Sequence, residues 1–184
     1  MESKDDGQIQ VAIRIRPLLV EERSHDNSKL KIDKKNNTII TFKEKLDLQK
    51  GFKFDTILDP YDSQADVFHK CKIHHIVDRV LEGFNATIFA YGQTSTGKTY
   101  TMEGYKYLTD EYGRPIPEIS DDDSIGITPR VIKRLFALIY DKENENENIK
   151  YIVQCSFLQI YRENIHDLLN HHQFYHDKSN RAEL

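Results

Sequence analysis

Tryptophan is absent from this 184-residue chain, and cysteine, methionine and proline are scarce at two, two and five residues. The two cysteines, Cys71 and Cys155, lie far apart inside apolar patterns, which excludes a disulfide scaffold and leaves buried free thiols as the expectation. No apolar run approaches the length of a bilayer span, and the opening MESKDDGQ is polar where a secretory leader would carry an apolar core. A cytoplasmic chain with no membrane partner is therefore expected. An excess of positive charge is also missing: 26 Lys and Arg against 30 Asp and Glu give a formal net charge of −4, which argues against an autonomous nucleic-acid binder. No heptad run is present to build a coiled-coil dimer. What remains, 38% hydrophobic and 30% charged residues, is ordinary for one globular domain with a real core.

The most informative stretch runs from Ala86 to Thr101, ATIFAYGQTSTGKTYT. Thr87 to Tyr91 has the length and composition of a buried strand, and Gly92 stops it. Gly92, Gln93, Thr94, Ser95, Thr96, Gly97, Lys98 and Thr99 then match G-x-x-x-x-G-K-[ST] without a mismatch. A polyphosphate concentrates negative charge, and a ring of backbone N–H groups ending at a helix N-terminus meets that charge with little cost. Glycines let the backbone approach closely, Lys98 is placed for the β/γ-phosphates, and the Thr99 hydroxyl is placed for Mg²⁺. A chance match is expected in roughly one chain in a hundred of this length. The strand-like run before the motif and the helix-compatible TYTM after it make chance a poorer account still.

The rest of the chain reads as follows. Ile9 to Ile15 alternates apolar and polar residues as a strand does, and Pro17 ends it. On spacing alone Arg14 and Arg16 are a solvated strand end; the sharper alternative sets Arg14 and Pro17 against a base. Leu30 to Ile32, Thr38 to Phe42 and Phe52 to Phe54 predict a small peripheral sheet. Ser63 with Asp66 predicts a capped helix carrying Val67, Cys71, Val77, Val80 and Leu81 inward as far as Gly83. Its histidines, His69, His74 and His75, read as solvated or core-edge residues rather than ligands. Residues 104–126 hold Gly113, Pro115, Pro117 and three aspartates at 121–123, and read as a long exposed loop, either solvent filler or a regulatory element. Thr128 as N-cap with Pro129 behind it opens a helix whose inward stripe is Val131, Leu135, Leu138 and Ile139. Residues 143–149 form a polar linker. Tyr151 to Tyr161 reads as a strand with at least one covered face, and Glu163 to Asn170 as a short turn or helix. The segment 171–184, with His171, His172 and His176, reads as a polar frayed tail, like the polar segment 1–8.

Five phrases now stand in order: VAIRIRPLL at 11–19, FKFDTILDP at 52–60, VLEGFNATIFAYGQTSTGKTYTMEG at 80–104, GITPRVIKRLF at 126–136 and SFLQIYRENIHDLL at 156–169. In order and near spacing they resemble the first half of a kinesin motor domain, over residues 9–170. FAYGQT before the phosphate motif and TYTMEG after it separate this resemblance from nucleotide kinases and small GTPases. The resemblance implies an α/β P-loop NTPase fold, a central mostly parallel or mixed sheet with helices on both faces, here incomplete. It implies ATP and Mg²⁺ as cofactors, held by residues Gly92 to Thr99, with Arg14 and Pro17 flanking the adenine and Tyr100 stacked on it. The partner it implies is the microtubule, reached through the second half of the motor, in the cytoplasm and cytoskeleton. The loop at 104–126 corresponds to the family's insertion after the phosphate loop.

The departures matter as much. An ATPase of this class needs a strand-end aspartate near Mg²⁺ and groups that position water. No NxxSSRSH-like or DxxGxE segment is present, and Asp55 and Asp141, which follow apolar residues, close a very short run and a helical pattern. No catalytic residue is therefore assigned beyond the phosphate loop. The strands near Ile9, Thr87 and Tyr151 would have neighbours in the second half, so the chain is expected to be half a motor and inactive alone. A nucleotide-binding interaction module without hydrolysis is the alternative. A different P-loop phosphotransferase ranks third, because its phosphate loop would stand near the N-terminus.

Overall fold

A computed structural model describes residues 9–25, 30–43, 48–104, 106–118 and 123–170. The chain divides into two compact units, Met1–Tyr140 and Asp141–Leu184, with the boundary inside one helix. Its content is mixed α and β, as expected. The tails at 1–8 and 171–184, with His171, His172 and His176, and the aspartates at 121 and 122 lie outside the described residues.

The first unit opens with β1 (Ala12–Arg14), followed by a 3-10 helix at Val20–His25. Next come β2 (Leu30–Asp33), β3 (Thr38–Lys43) and β4 (Leu48–Lys53), an antiparallel meander in the order 2-3-4 that forms the expected peripheral sheet, with its third strand at Leu48–Lys53 rather than Phe52–Phe54. The polar stretch KKNN supplies its first turn, in which Asn37 adopts a left-handed φ of 49°. Then β5 (Thr56–Leu58) runs parallel to β1, Ala12 opposite Thr56 and Arg14 opposite Leu58. A run of three residues with no alternation gives no strand signal, so β5 is visible only through its partner.

Helix α1 (Gln64–Lys70) begins at Ser63 with the predicted box: Ser63 Oγ accepts from the Asp66 N–H at 3.1 Å, and Asp66 Oδ2 accepts from the Ser63 N–H at 2.9 Å. Each such cap contributes about 1 kcal/mol. The expected single helix to Gly83 is instead two, because Lys72 takes a left-handed conformation (φ 54°) and α2 (Ile73–Leu81) starts anew. A straight helix with Val67 inward would carry His74, seven residues on, toward the core. The left-handed step shifts the phase so that Ile73 enters at 3% exposure while His74 stays half-buried. The histidines pack as rings at the core edge, His69 to His74 at 5.4 Å and His74 to His75 at 4.2 Å, and no metal-holding group occurs among the described residues.

Leu58, Val67, Phe68, Ile73 and Ile127 form the core, with Cys71, Ile88, Met102 and Val131 packed against it. Each fully buried aliphatic or phenyl side chain stabilises the unit by about 1.5–3 kcal/mol. Cys71 is half-buried, and burial raises its thiol pKa; Cys155, expected to be buried, is exposed.

Residues 87–91 are not the strand that their composition predicts. Burial alternates along them, with Ile88 and Ala90 turned inward and Phe89 and Tyr91 exposed, which is the period of extended chain. A strand is a relation between two backbones, however, and among the described residues nothing pairs with this one. After α3 (Lys98–Met102), the segment expected to be a loop forms a hairpin, β6 (Lys106–Thr109) with β7 (Pro115–Glu118). Its turn is held by Asp110, whose carboxylate accepts from the N–H groups of Tyr112 and Arg114 and from Arg114 Nε.

Helix α4 (Ile127–Glu145) starts one residue before the predicted cap, so Thr128 and Pro129 lie in its first turn, where a missing N–H costs little. Ile139 is buried and Val131, Leu135 and Leu138 are half-buried, as the stripe predicts. Arg134 holds Asp78 of α2 through two hydrogen bonds of 2.8 Å. The helix continues to Glu145, so three of the seven residues of the predicted linker are helical.

In the second unit, β8 (Leu158–Tyr161) and β9 (Asn164–Asp167) form a hairpin where a longer strand and then a turn or helix were expected. Arg162 and Glu163 make the two-residue turn with φ of 48° and 65°, a conformation that neither side chain advertises. Residues 151–157 are not in a strand, and β8 is exposed at all four positions rather than covered. Among the described residues no helix is long and apolar enough to cross a membrane.

Candidate functional site

The phosphate motif forms a loop ending in a helix, as its sequence requires. Gly97 caps α3 in the left-handed conformation (φ 95°) with no side-chain cap, so the first turn's N–H groups are left to a ligand or water. Within the loop, the Thr96 hydroxyl donates to the Gln93 carbonyl at 2.8 Å, and Ser95 is also left-handed. A Cβ at Gly92 would lie 2.7 Å from Thr96 Oγ1, so the first glycine keeps the loop tight. Lys98 Nζ donates to the carbonyls of Gly92 at 2.9 Å and Gln93 at 2.7 Å. Its partners among the described residues are neutral oxygens, so an incoming anion displaces no competing carboxylate. Thr94 and Thr99 are exposed on the same short stretch. The loop thus gathers an ammonium, a hydroxyl and helix-start donors within eight residues, which fits a polyphosphate with its divalent cation.

Beside the loop a second group assembles. Arg14, at the end of β1, donates from Nη1 to Gln64 Oε1 at 2.8 Å and to Thr101 Oγ1 at 2.9 Å. Its guanidinium lies 5.2 Å from the centre of the Tyr100 ring, which is half-exposed. Burial lowers the pKa of Arg14, and the neighbouring Tyr100 and Asp62 oppose that shift. Arg14 is therefore no solvated strand end, the reading that spacing alone favoured. Pro17 is exposed and adjoins Arg16, whose guanidinium donates to its carbonyl at 3.0 Å. Asp55 Oδ2 accepts from the Val11 N–H at 2.7 Å, an edge contact of the β1–β5 pair.

Gln64 was missed. It is 3% exposed, accepts from Arg14 and donates through Nε2 to the Tyr100 carbonyl at 2.5 Å. One signal was available: Gln64 stands three and four residues before Val67 and Phe68, on the face of α1 that enters the core, where an amide needs partners.

Arg16 continues the strand exit with two bonds to Glu22, of 2.7 and 2.6 Å. The guanidinium, and then the Leu19 N–H at 2.9 Å, hold the Glu22 carboxyl down to about 2. A carboxyl depressed in the folded state contributes stability above its ordinary value, and loses that contribution as pH falls toward the folded one. Carboxyl ¹³C shifts of Glu22 should accordingly titrate near pH 2 in the folded chain; a midpoint near the ordinary ~4.3 would show that the pair does not form.

The hairpin's two ends are locked at the end of α3. The Gly126 N–H donates to the Glu103 carbonyl at 2.8 Å, and Arg130 Nε donates to the Ile125 carbonyl at 3.1 Å. Backbones cross at two glycines: a Cβ on Gly104 would stand 2.2 Å from the Ser124 carbonyl, and one on Gly126 would stand 2.6 Å from Met102.

Comparison with known proteins places this geometry. A family model described as "Kinesin motor domain" matches residues 14–184. The chain is 35% identical over 165 residues to kinesin-like protein Klp68D of Drosophila pseudoobscura pseudoobscura, covering 88% of this chain and 18% of that protein. It is 36% identical over 174 residues to the kinesin heavy chain of Caenorhabditis elegans, covering 92% of this chain and 18% of that one. A solved structure of a fast kinesin superposes with a TM-score of 0.70 at 34% identity, over 88% of this chain and 40% of that chain. The chain thus spans less than a fifth of the length of these two curated relatives.

Proposed function

Because the chain belongs to the kinesin motor-domain family, we propose that it forms the nucleotide-binding portion of an ATP-driven microtubule motor. One observation carries the nucleotide assignment: the Gly92–Thr99 motif folds as a loop on the start of α3, with Lys98 Nζ on the Gly92 and Gln93 carbonyls. Gly92, Gln93, Thr94, Ser95, Thr96 and Gly97 would wrap the phosphates, Lys98 would contact the β/γ oxygens, and the Thr99 hydroxyl would hold Mg²⁺. A Mg²⁺ held there would supply neutralisation of the negative charge on the β- and γ-phosphates. Tyr100 would stack on the adenine, with Arg14 behind it and Pro17 at its edge. Hydrolysis and movement belong to the whole protein, acting on microtubules in the cytoplasm.

Replacing Tyr100 by Ala tests the base-holding half of this reading. Stacking of a base on an aromatic ring is worth about 1–3 kcal/mol. ATP binding, followed by calorimetry, should weaken roughly five- to hundredfold while inorganic tripolyphosphate keeps its affinity. Equal losses for both ligands would make Tyr100 a packing residue.

A further inference from the structure

We propose that Gln64 is a positioning residue for the nucleotide base: its amide clamps Arg14 and the Tyr100 backbone together, so that ring and guanidinium present one fixed surface. The proposal rests on the reading of Arg14 and Tyr100 as the base-holding pair.

Three facts carry it. Gln64 is the only polar or charged residue among the described ones that is buried as a whole, at 3% exposure, and both ends of its amide are used. Its Oε1 accepts from Arg14 Nη1 at 2.8 Å, and its Nε2 donates to the Tyr100 carbonyl at 2.5 Å, so one planar group spans the end of β1 and the first turns of α3. Those two contacts lie 50 and 36 residues from Gln64 in the chain, respectively. A buried amide that serves only packing would be replaceable by a leucine of similar size. Here replacement leaves a half-buried guanidinium with one acceptor fewer, beside Thr101 Oγ1, and a carbonyl without its donor.

The clamp also explains how a half-exposed ring keeps a useful orientation. Tyr100 stands at 51% exposure, so the surface around its ring leaves it largely open. Its backbone is fixed instead, by a hydrogen bond from the well-anchored first turn of α1, and the guanidinium held on the other end of the same amide lies 5.2 Å from the ring centre. Among the described residues, the hydrogen bonds of the Gln64 amide go to Arg14 and to the Tyr100 carbonyl, not to Lys98, so its effect should fall on the base and spare the phosphates.

The test compares ATP with inorganic tripolyphosphate, both with Mg²⁺, on the full chain carrying Gln64→Leu or Gln64→Glu. Gln64→Leu should weaken ATP roughly five- to tenfold and leave tripolyphosphate within about twofold. Gln64→Glu keeps an acceptor for Arg14 but sets a carboxylate oxygen against the Tyr100 carbonyl, so it too should weaken ATP while sparing tripolyphosphate; it reads the same ratio if the leucine variant does not fold. Combined with Tyr100→Ala, Gln64→Leu should add nothing further. Parallel losses for both ligands, unchanged ATP affinity, or additive losses in the double variant would each overturn the proposal. If Tyr100→Ala itself leaves the ratio of the two affinities unchanged, the base-holding reading fails; if it shifts the ratio while Gln64→Leu does not, the clamp alone fails.

Discussion

Lys98→Ala in the full chain is expected to weaken Mg²⁺-ATP binding by at least about a hundredfold, and tripolyphosphate binding by as much. A hydrogen bond to a charged group is worth about 1.5–3 kcal/mol, and the ammonium would meet two phosphate groups at once. The same change should barely alter folding. The side chain's present partners are carbonyls of a solvent-facing loop, which water can serve once the ammonium is gone. This separation of effects is the diagnostic feature: the melting temperature should stay within a few degrees while affinity for both ligands collapses. Near-native affinity would remove Lys98 from the site, and with it the strongest reason to read the motif as a phosphate holder.

Gly104→Ala should have the largest effect on stability, about 2–5 kcal/mol. Two costs add. The left-handed backbone at Gly104 (φ 80°) costs an alanine about 1–2 kcal/mol, and its Cβ would stand 2.2 Å from the Ser124 carbonyl and 2.3 Å from the Gly126 nitrogen. Both obstacles are backbone, so relief requires parting the two strands of the crossing, another ~1–3 kcal/mol. Because Gly126 also bonds the Glu103 carbonyl, that movement would pull the start of α4 from the end of α3 and disturb Ile127 and Met102 at the core. Denaturant unfolding should show a lower midpoint with an unchanged slope. A variant as stable as the native chain would mean that the crossing is looser than the distances imply. Residues 106–118 are thus better described as a hairpin than as an open loop, with Gly104 and Gly126 held close together beside it.

Features set by neighbours in the chain were legible in the sequence. Ser63 and Asp66 cap α1 because both partners lie within one turn. The phosphate loop and the three-stranded meander follow from glycine placement and short polar turns in the same way. The rest depended on contacts made at a distance. The strand expected at Thr87 to Tyr91 has the right burial period but no pairing partner among the described residues, and no local pattern could reveal that. The phase shift at Lys72 answers to the core's demand for Ile73, and the Arg162–Glu163 turn uses residues that no turn rule favours. Within the site, the motif gave Gly92 to Thr99 outright, family resemblance added Arg14, Pro17 and Tyr100, and only the folded chain exposed Gln64. The structure brings Arg14 to Tyr100 and leaves Pro17 exposed at the strand exit. A long-range clamp leaves no spacing behind, since its three residues come from β1, α1 and α3.

The account's central claim is that the loop from Gly92 to Thr99 holds the phosphates. Backbone amide chemical shifts recorded while Mg²⁺-ATP is added to the full chain test it most directly. The account predicts that the largest changes fall on the N–H groups between Gln93 and Tyr100, and that tripolyphosphate reproduces those of the loop but not that of Tyr100. Changes centred elsewhere, with these amides unmoved at saturating nucleotide, would contradict it.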